Sequence, residues 1–169
     1  MRPLQKDDLL RGQLYIKSAK ECCIIISLCI MADQFNATKA QLQNAYKLYK
    51  EEVSQYATWD GNGVKKAYDD FRAVAKRYGK DGIKIVKSKK YKRSYEAMII
   101  NTETCCVYIM LRLLRTNFGA NYKQLDWFLD KYDEFNKIYG EGKQTPMQTL
   151  AHELYEIAGI DVFGNEEKK

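Results

Sequence analysis

One stretch of this chain is written twice. Residues 21–56, ECCIIISLCIMADQFNATKAQLQNAYKLYKEEVSQY, and residues 104–139, TCCVYIMLRLLRTNFGANYKQLDWFLDKYDEFNKIY, align without a gap at an offset of 83. Eleven of the 36 aligned positions are identical, against about two by chance, so the stretches are read as copies of one unit. The retained residues are those a helical fold needs. Gln41 and Gln124 stand three residues after Thr38 and Asn121, the spacing of a capping box. Leu42 and Leu125 open an apolar helical face, which Tyr49/Tyr132 and Tyr56/Tyr139 continue in seven-residue steps. Phe35 and Phe118 fall at the turn before it. A duplication that keeps caps and core residues specifies a fold, not a catalytic site.

Apolar periodicity predicts six helices. The first covers 5–33, with Leu9, Leu10, Leu14, Ile16, Ala19, Cys23, Ile26 and Ile30 on its stripe. Between Cys22 and Ala32 it is apolar on nearly every side, which belongs at the centre of a fold. Asn36 ends it in the left-handed position after the helix, where Gly119 stands in the second copy. Helix two follows, with Leu42, Ala45, Tyr46, Tyr49, Val53 and Tyr56 inward. Asn62 caps a third helix carrying Val64, Ala67, Phe71, Val74, Ala75 and Tyr78. After residues 80–93, in which Ile83–Val86 suits a short strand or an extended linker, the plan restarts at Ser94. Met98, Ile99, Thr102, Cys106, Ile109 and Leu113 mark helix four; Leu125, Phe128, Leu129, Tyr132, Phe135 and Tyr139 mark helix five. Thr145-Pro146-Met147-Gln148 is a start signal for helix six, with Met147, Leu150, Leu154, Ile157 and Ala158 inward.

The expected fold class is therefore all-α: a six-helix, bundle-like single domain built from two three-helix repeats related by a pseudo-two-fold axis, as in a fused homodimer. Residues 1–79 form the first repeat, 80–93 a basic connector, 94–163 the second repeat and 164–169 a frayed tail. The broad apolar runs at 22–32 and 105–114 exceed what one three-helix unit can bury, so they are expected to pack on each other.

Composition narrows the class. Hydrophobic residues make up 46% of the chain and charged residues 30%, a globular balance, and only two prolines interrupt long helices. The run from Cys22 to Ala32 spans 11 residues, too few for a bilayer, and Arg112 breaks its counterpart. With a charged N-terminal sequence and no secretory pattern, a soluble, cytoplasmic protein is expected. The five cysteines (Cys22, Cys23, Cys29, Cys105, Cys106) lie in the most apolar segments and read as reduced, buried thiols. Neighbouring cysteines on a helix diverge by about 100°, which disfavours both an internal disulfide and a shared four-cysteine metal site. No cofactor and no metal ligands are assigned. Heavy use of Lys, Tyr, Asn and Ile matches an AT-rich genome, bacterial or phage.

Charge placement is the clearest functional signal. Lys80, Lys84, Lys87, Lys89, Lys90, Lys92 and Arg93 against Asp81 give segment 80–93 a net charge of +6. The whole chain is also +6, so the remainder is neutral. Cations interleaved with Tyr91 suit phosphate contact plus base stacking, or an acidic protein partner. A solvated linker would carry the same composition.

Asp130 and Asp133 on helix five, with Glu153 and Glu156 on helix six, form two i,i+3 carboxylate pairs. Their spacing resembles the E-x-x-E…E-x-x-D pattern of all-α nucleotide pyrophosphohydrolases, a likeness that would imply Mg²⁺ and a nucleotide substrate. The first copy has Lys47 and Lys50 at the positions of Asp130 and Asp133, and Leu125, Leu129, Tyr132 and Phe135 claim the inner face of helix five. His152, the single histidine, gives H-E-x-x-E, not the two-histidine zinc motif. The sequence thus points to a non-enzymatic helical binding or regulatory protein, an adaptor or inhibitor. Its proposed contact residues are Lys80, Lys84, Lys87, Lys89, Lys90, Tyr91, Lys92 and Arg93. A Mg²⁺-dependent pyrophosphohydrolase-like enzyme and an oligomerisation module that forms a homodimer through 22–32 and 105–114 are the alternatives.

Overall fold

The two most apolar segments become the two central helices. The computed structural model describes residues 6–56, 61–75, 94–139 and 144–166. They form six helices: α1 (Lys6–Gln34), α2 (Lys39–Ser54), α3 (Gly61–Val74), α4 (Ser94–Asn117), α5 (Tyr122–Tyr139) and α6 (Gln144–Ala158). No strand occurs among the described residues, and Ile83–Val86 lies outside them.

Every residue from Cys23 to Met31 is buried, as is every residue from Cys105 to Leu111. About two helical turns closed on all sides require neighbours all round, and α1 and α4 supply part of that cover for each other. Their relative direction follows from where they touch. Near their N-terminal ends, a methyl group on Gly12 would come within 3.3 Å of Met98 Sδ. Midway, the buried Cys23 and Cys106 are neighbours. At their C-terminal ends, Met31 and Leu114 line one cleft. The two helices therefore run parallel. Ala19, Cys23, Ile26 and Ile30 on α1 and Thr102, Cys106, Ile109 and Leu113 on α4 are all buried, with the same four-three-four spacing on both helices. Thr102 is tolerated there because its hydroxyl donates to the Met98 carbonyl at 2.8 Å.

The outer helices cross over. α3 packs on α4, and α6 packs on α1, while α2 and α5 each touch both central helices. The turns that redirect the chain are closed locally. Asn36 and Gly119 both take positive φ, 51° and 65°, a region where asparagine and glycine are least strained. The next amide reaches back six residues in each case: Ala37 N–H to Met31 O at 3.0 Å, and Ala120 N–H to Leu114 O at 2.9 Å. Both capping boxes form. Gln41 and Thr38 exchange bonds of 2.8 and 3.2 Å, Gln124 and Asn121 bonds of 2.9 and 2.8 Å. α3 begins at Gly61, ahead of Asn62, and α6 begins at Gln144, ahead of Thr145.

Among the described residues, three placed inward by periodicity are exposed. Leu10, Leu14 and Ile157 are 48%, 64% and 52% accessible. An apolar stripe marks a face that could be covered, and near these helix ends no other described helix covers it. Residues Ala97–Asn117 are long and apolar enough, by length and composition alone, to cross a membrane. In the fold that stretch is the central helix α4, with its apolar side chains packed against α1, α2 and α3.

Candidate functional site

The predicted contact residues Lys80, Lys84, Lys87, Lys89, Lys90, Tyr91, Lys92 and Arg93 lie outside the described residues. Their nearest described neighbours in the chain are the end of α3 and the start of α4. Candidate chemistry within the described fold sits at four places, and only one of them is a cleft with matched walls.

That cleft lies where the α1–α4 seam ends. It holds about 130 Å³ and is lined by Met31, Phe35, Ala37 and Gln41 on one side and Leu114, Phe118, Ala120 and Gln124 on the other. Each pair is 83 residues apart, and three of the four pairs are identical in residue type. Met31 and Leu114 are buried, while Phe35 and Phe118 are half-buried. Both glutamine side chains are pinned, because each Oε1 accepts from the backbone N–H that its capping box closes. No side chain in the lining is charged.

Further down the seam, Cys23, Cys106, Tyr49 and Tyr132 form a closed cluster. Tyr49 Oη donates to the Lys20 carbonyl at 2.8 Å, and Tyr132 Oη donates to Glu103 Oε1 at 3.4 Å; both pairs again differ by 83. Burial pushes the Cys23 thiol and both tyrosine hydroxyls upward. Burial, with the Asp33 and Glu153 charges behind it, takes Cys29 to about 12. Protonated, inaccessible thiols are poor nucleophiles and poor metal ligands, so Cys23 and Cys29 are core residues.

A polar network bridges α2, α3 and α4. Arg112 donates to Glu52, and its buried Nε has no hydrogen-bond partner. Tyr56 Oη donates to Asp70 Oδ2 at 3.2 Å, and Lys66 pairs with the same oxygen at 3.0 Å. Burial first, then the Asp70 charge, raises the Tyr56 hydroxyl. At the positions 83 residues away from Arg112 and Glu52 stand Cys29 and Phe135, so this pair has no charged counterpart.

The carboxylates do not converge. Asp130, Asp133, Glu153 and Glu156 are all exposed, Asp133 pairs with Lys137 at 3.0 Å, and Glu156 lies 3.4 Å from His152. Among the described residues no three His, Cys, Asp or Glu side chains are grouped to hold a metal. His152 instead ties down the end of the chain: its Nδ1 lies 3.0 Å from Glu166 Oε1. That bond raises the imidazole above its ordinary value. Asp161 fixes the same segment by accepting from the Asn165 and Glu166 amides at 3.1 and 3.3 Å. Trp127 is half exposed, with the Lys131 ammonium 5.2 Å from its ring centre.

Fold and site together define an all-α six-helix protein organised on a parallel central pair. No family model, curated protein or solved structure matches the chain. The cleft escapes prediction because Gln41 and Gln124 read as caps and Phe35 and Phe118 as turn residues, each in isolation. Their signal was present: Phe35/Phe118, Ala37/Ala120 and Gln41/Gln124 are three of the identities between the copies, and they crowd around one turn.

Proposed function

We propose that this chain is a non-enzymatic helical binding protein that works by surface contact, with segment 80–93 meeting nucleic acid. The observation that carries the reading is the concentration of a net +6 into fourteen residues, while the rest of the chain sums to zero. Such a segment attracts a phosphate backbone through counterion release, and Tyr91 adds a stacking surface. Contact of this kind is dominated by phosphates and reads sequence weakly. It acts in a reducing cytoplasm, in keeping with five cysteines in the thiol form. The scaffold is two three-helix units, 1–79 and 94–163, related by a pseudo-two-fold axis. Support comes from helix starts at 39 and 122 and at 61 and 144, from the paired caps and turns, and from reciprocal packing of α3 on α4 and α6 on α1. The oligomerisation alternative loses its main motive, because runs 22–32 and 105–114 meet within one chain.

Binding to short duplex DNA, single-stranded DNA and RNA across a salt series tests the proposal. If about four of the seven cations engage phosphates, the log–log slope on duplex is roughly −3.6. Lys87, Lys89, Lys90 and Lys92 all changed to Glu abolish it. Flat titrations at low salt refute nucleic-acid contact and transfer the segment to an acidic protein partner.

A further inference from the structure

The cleft at the C-terminal end of the α1–α4 seam has the size, walls and donors of a small-molecule site. Its volume of about 130 Å³ is close to that of an engineered apolar cavity of roughly 150 Å³ that accepts benzene. Phe35 and Phe118 offer half-buried rings from its two sides, over a buried aliphatic floor. The polar atoms are equally defined. Gln41 Oε1 and Gln124 Oε1 are each held by a backbone N–H, at 2.8 and 2.9 Å. Each Nε2 lies outside that bond, so each amide has donors left to offer a ligand.

We infer that this cleft binds an uncharged, single-ring molecule carrying a hydrogen-bond acceptor at each of two opposite ends. The ring fills the space between the phenylalanines, and one acceptor meets each glutamine Nε2. An anion finds no countercharge in the lining, and a cation meets two donors, so the uncharged class is favoured. Ala37 and Ala120 keep the space open, since any larger side chain at either position fills it. The walls are set before a ligand arrives: the left-handed turns at Asn36 and Gly119 and the two capping boxes fix both glutamines. Little ordering cost then remains for binding. The site is independent of segment 80–93, so its fate does not depend on the nucleic-acid reading.

Titration of the full-length protein with 1,4-diacetylbenzene, followed by calorimetry and ligand-observed NMR, tests the inference. One-to-one saturable binding is expected. Gln41→Glu and Gln124→Glu each keep the capping box, because glutamate serves at that position, yet remove the Nε2 donor. Each is expected to weaken binding roughly fivefold with an unchanged thermal midpoint, and Ala37→Phe to block it. Absence of saturation overturns the inference, as does binding that survives both glutamate variants. Equal affinity for 1,4-diethylbenzene, which lacks acceptors, overturns the assigned ligand class. If Ala37→Phe does not fold, the two glutamate variants decide alone.

Discussion

Removing Glu52 is expected to destabilise the protein more than removing Glu52 and Arg112 together. Arg112 and Glu52 face each other across α4 and α2, with 22% and 24% of their side chains exposed. At an effective dielectric of about 20 and a separation near 4 Å, such a pair attracts by about 4 kcal/mol. Partial solvent access halves that to about 2 kcal/mol. The Arg112 Nε already lacks a partner, so Glu52→Ala leaves a half-buried cation with an orphaned donor and should cost about 2 kcal/mol. Arg112→Met leaves a carboxylate that can reach water and should cost about 1 kcal/mol. The double variant strands neither charge, and apolar replacement of an ion pair is often neutral, so it should cost about 1 kcal/mol in total. The coupling is then about 2 kcal/mol. Cys29 and Phe135 at the matching positions of the other copy show that an uncharged pair occupies such places in this sequence. Urea titration reads each step as a shift in midpoint at constant slope. For a chain of this length each kcal/mol moves the thermal midpoint by about 2–4 °C. Strict additivity of the two single variants would refute the paired geometry.

The remaining expectations rest on separate contacts. Phe128→Ala removes a fully buried ring from α5 and should cost about 3–5 kcal/mol in urea unfolding; a loss below 1 kcal/mol contradicts the packing. Thr38→Ala and Asn121→Ala each open one capping box and should cost about 1 kcal/mol, with no loss disproving that cap. Under native conditions a thiol reagent should label half-buried Cys22 first, the other four reacting only on unfolding; two thiols reacting at once contradicts that burial. The Glu166 hydrogen bond raises His152 above its ordinary 6.5. A raised folded value means the tether contributes fully below the unfolded pKa and is lost as pH rises through the folded one. Glu166→Gln should lower the imidazole titration followed by NMR, and an unmoved titration would show that the tether is absent.

Local signals made the helices legible. Thr38 and Gln41, or Asn121 and Gln124, state a helix start within four residues, and Asn36 and Gly119 state a stop in one, because caps satisfy backbone groups that lie next to them in sequence. The burial of Cys23–Met31 was legible for a related reason: a segment apolar on all sides has only the centre to go to. Where a decision depends on what lies opposite, sequence is silent. Leu10 and Leu14 carry the same periodicity as Cys23 and Ile26, yet only the second pair has a neighbour over it. Arg112 and Glu52 are 60 residues apart, and neither position advertises the other.

The direction of the central pair belongs to the same class. A stripe spaced four-three-four is identical read for a parallel or an antiparallel neighbour, so the seam residues fix the contact face and not its sense. What fixes the sense is contact between like ends: Gly12 lies against Met98 near the start of the pair, and Met31 and Leu114 line one cleft at its end. A parallel pair brings like ends together. That is why two turns 83 residues apart share one cleft, why Phe35 meets the same space as Phe118, and why one glutamine from each copy lines it. Antiparallel packing would have placed those turns at opposite ends of the bundle and left each glutamine as a cap alone. The cleft is thus a consequence of helix direction, and the crosslink that tests one tests the other. With Gly12→Cys and Met98→Cys introduced, mild oxidation should join α1 to α4 near their N-terminal ends in the monomer. A chain that yields no intramolecular crosslink there, while remaining folded, would refute the parallel arrangement and dissolve the site built on it.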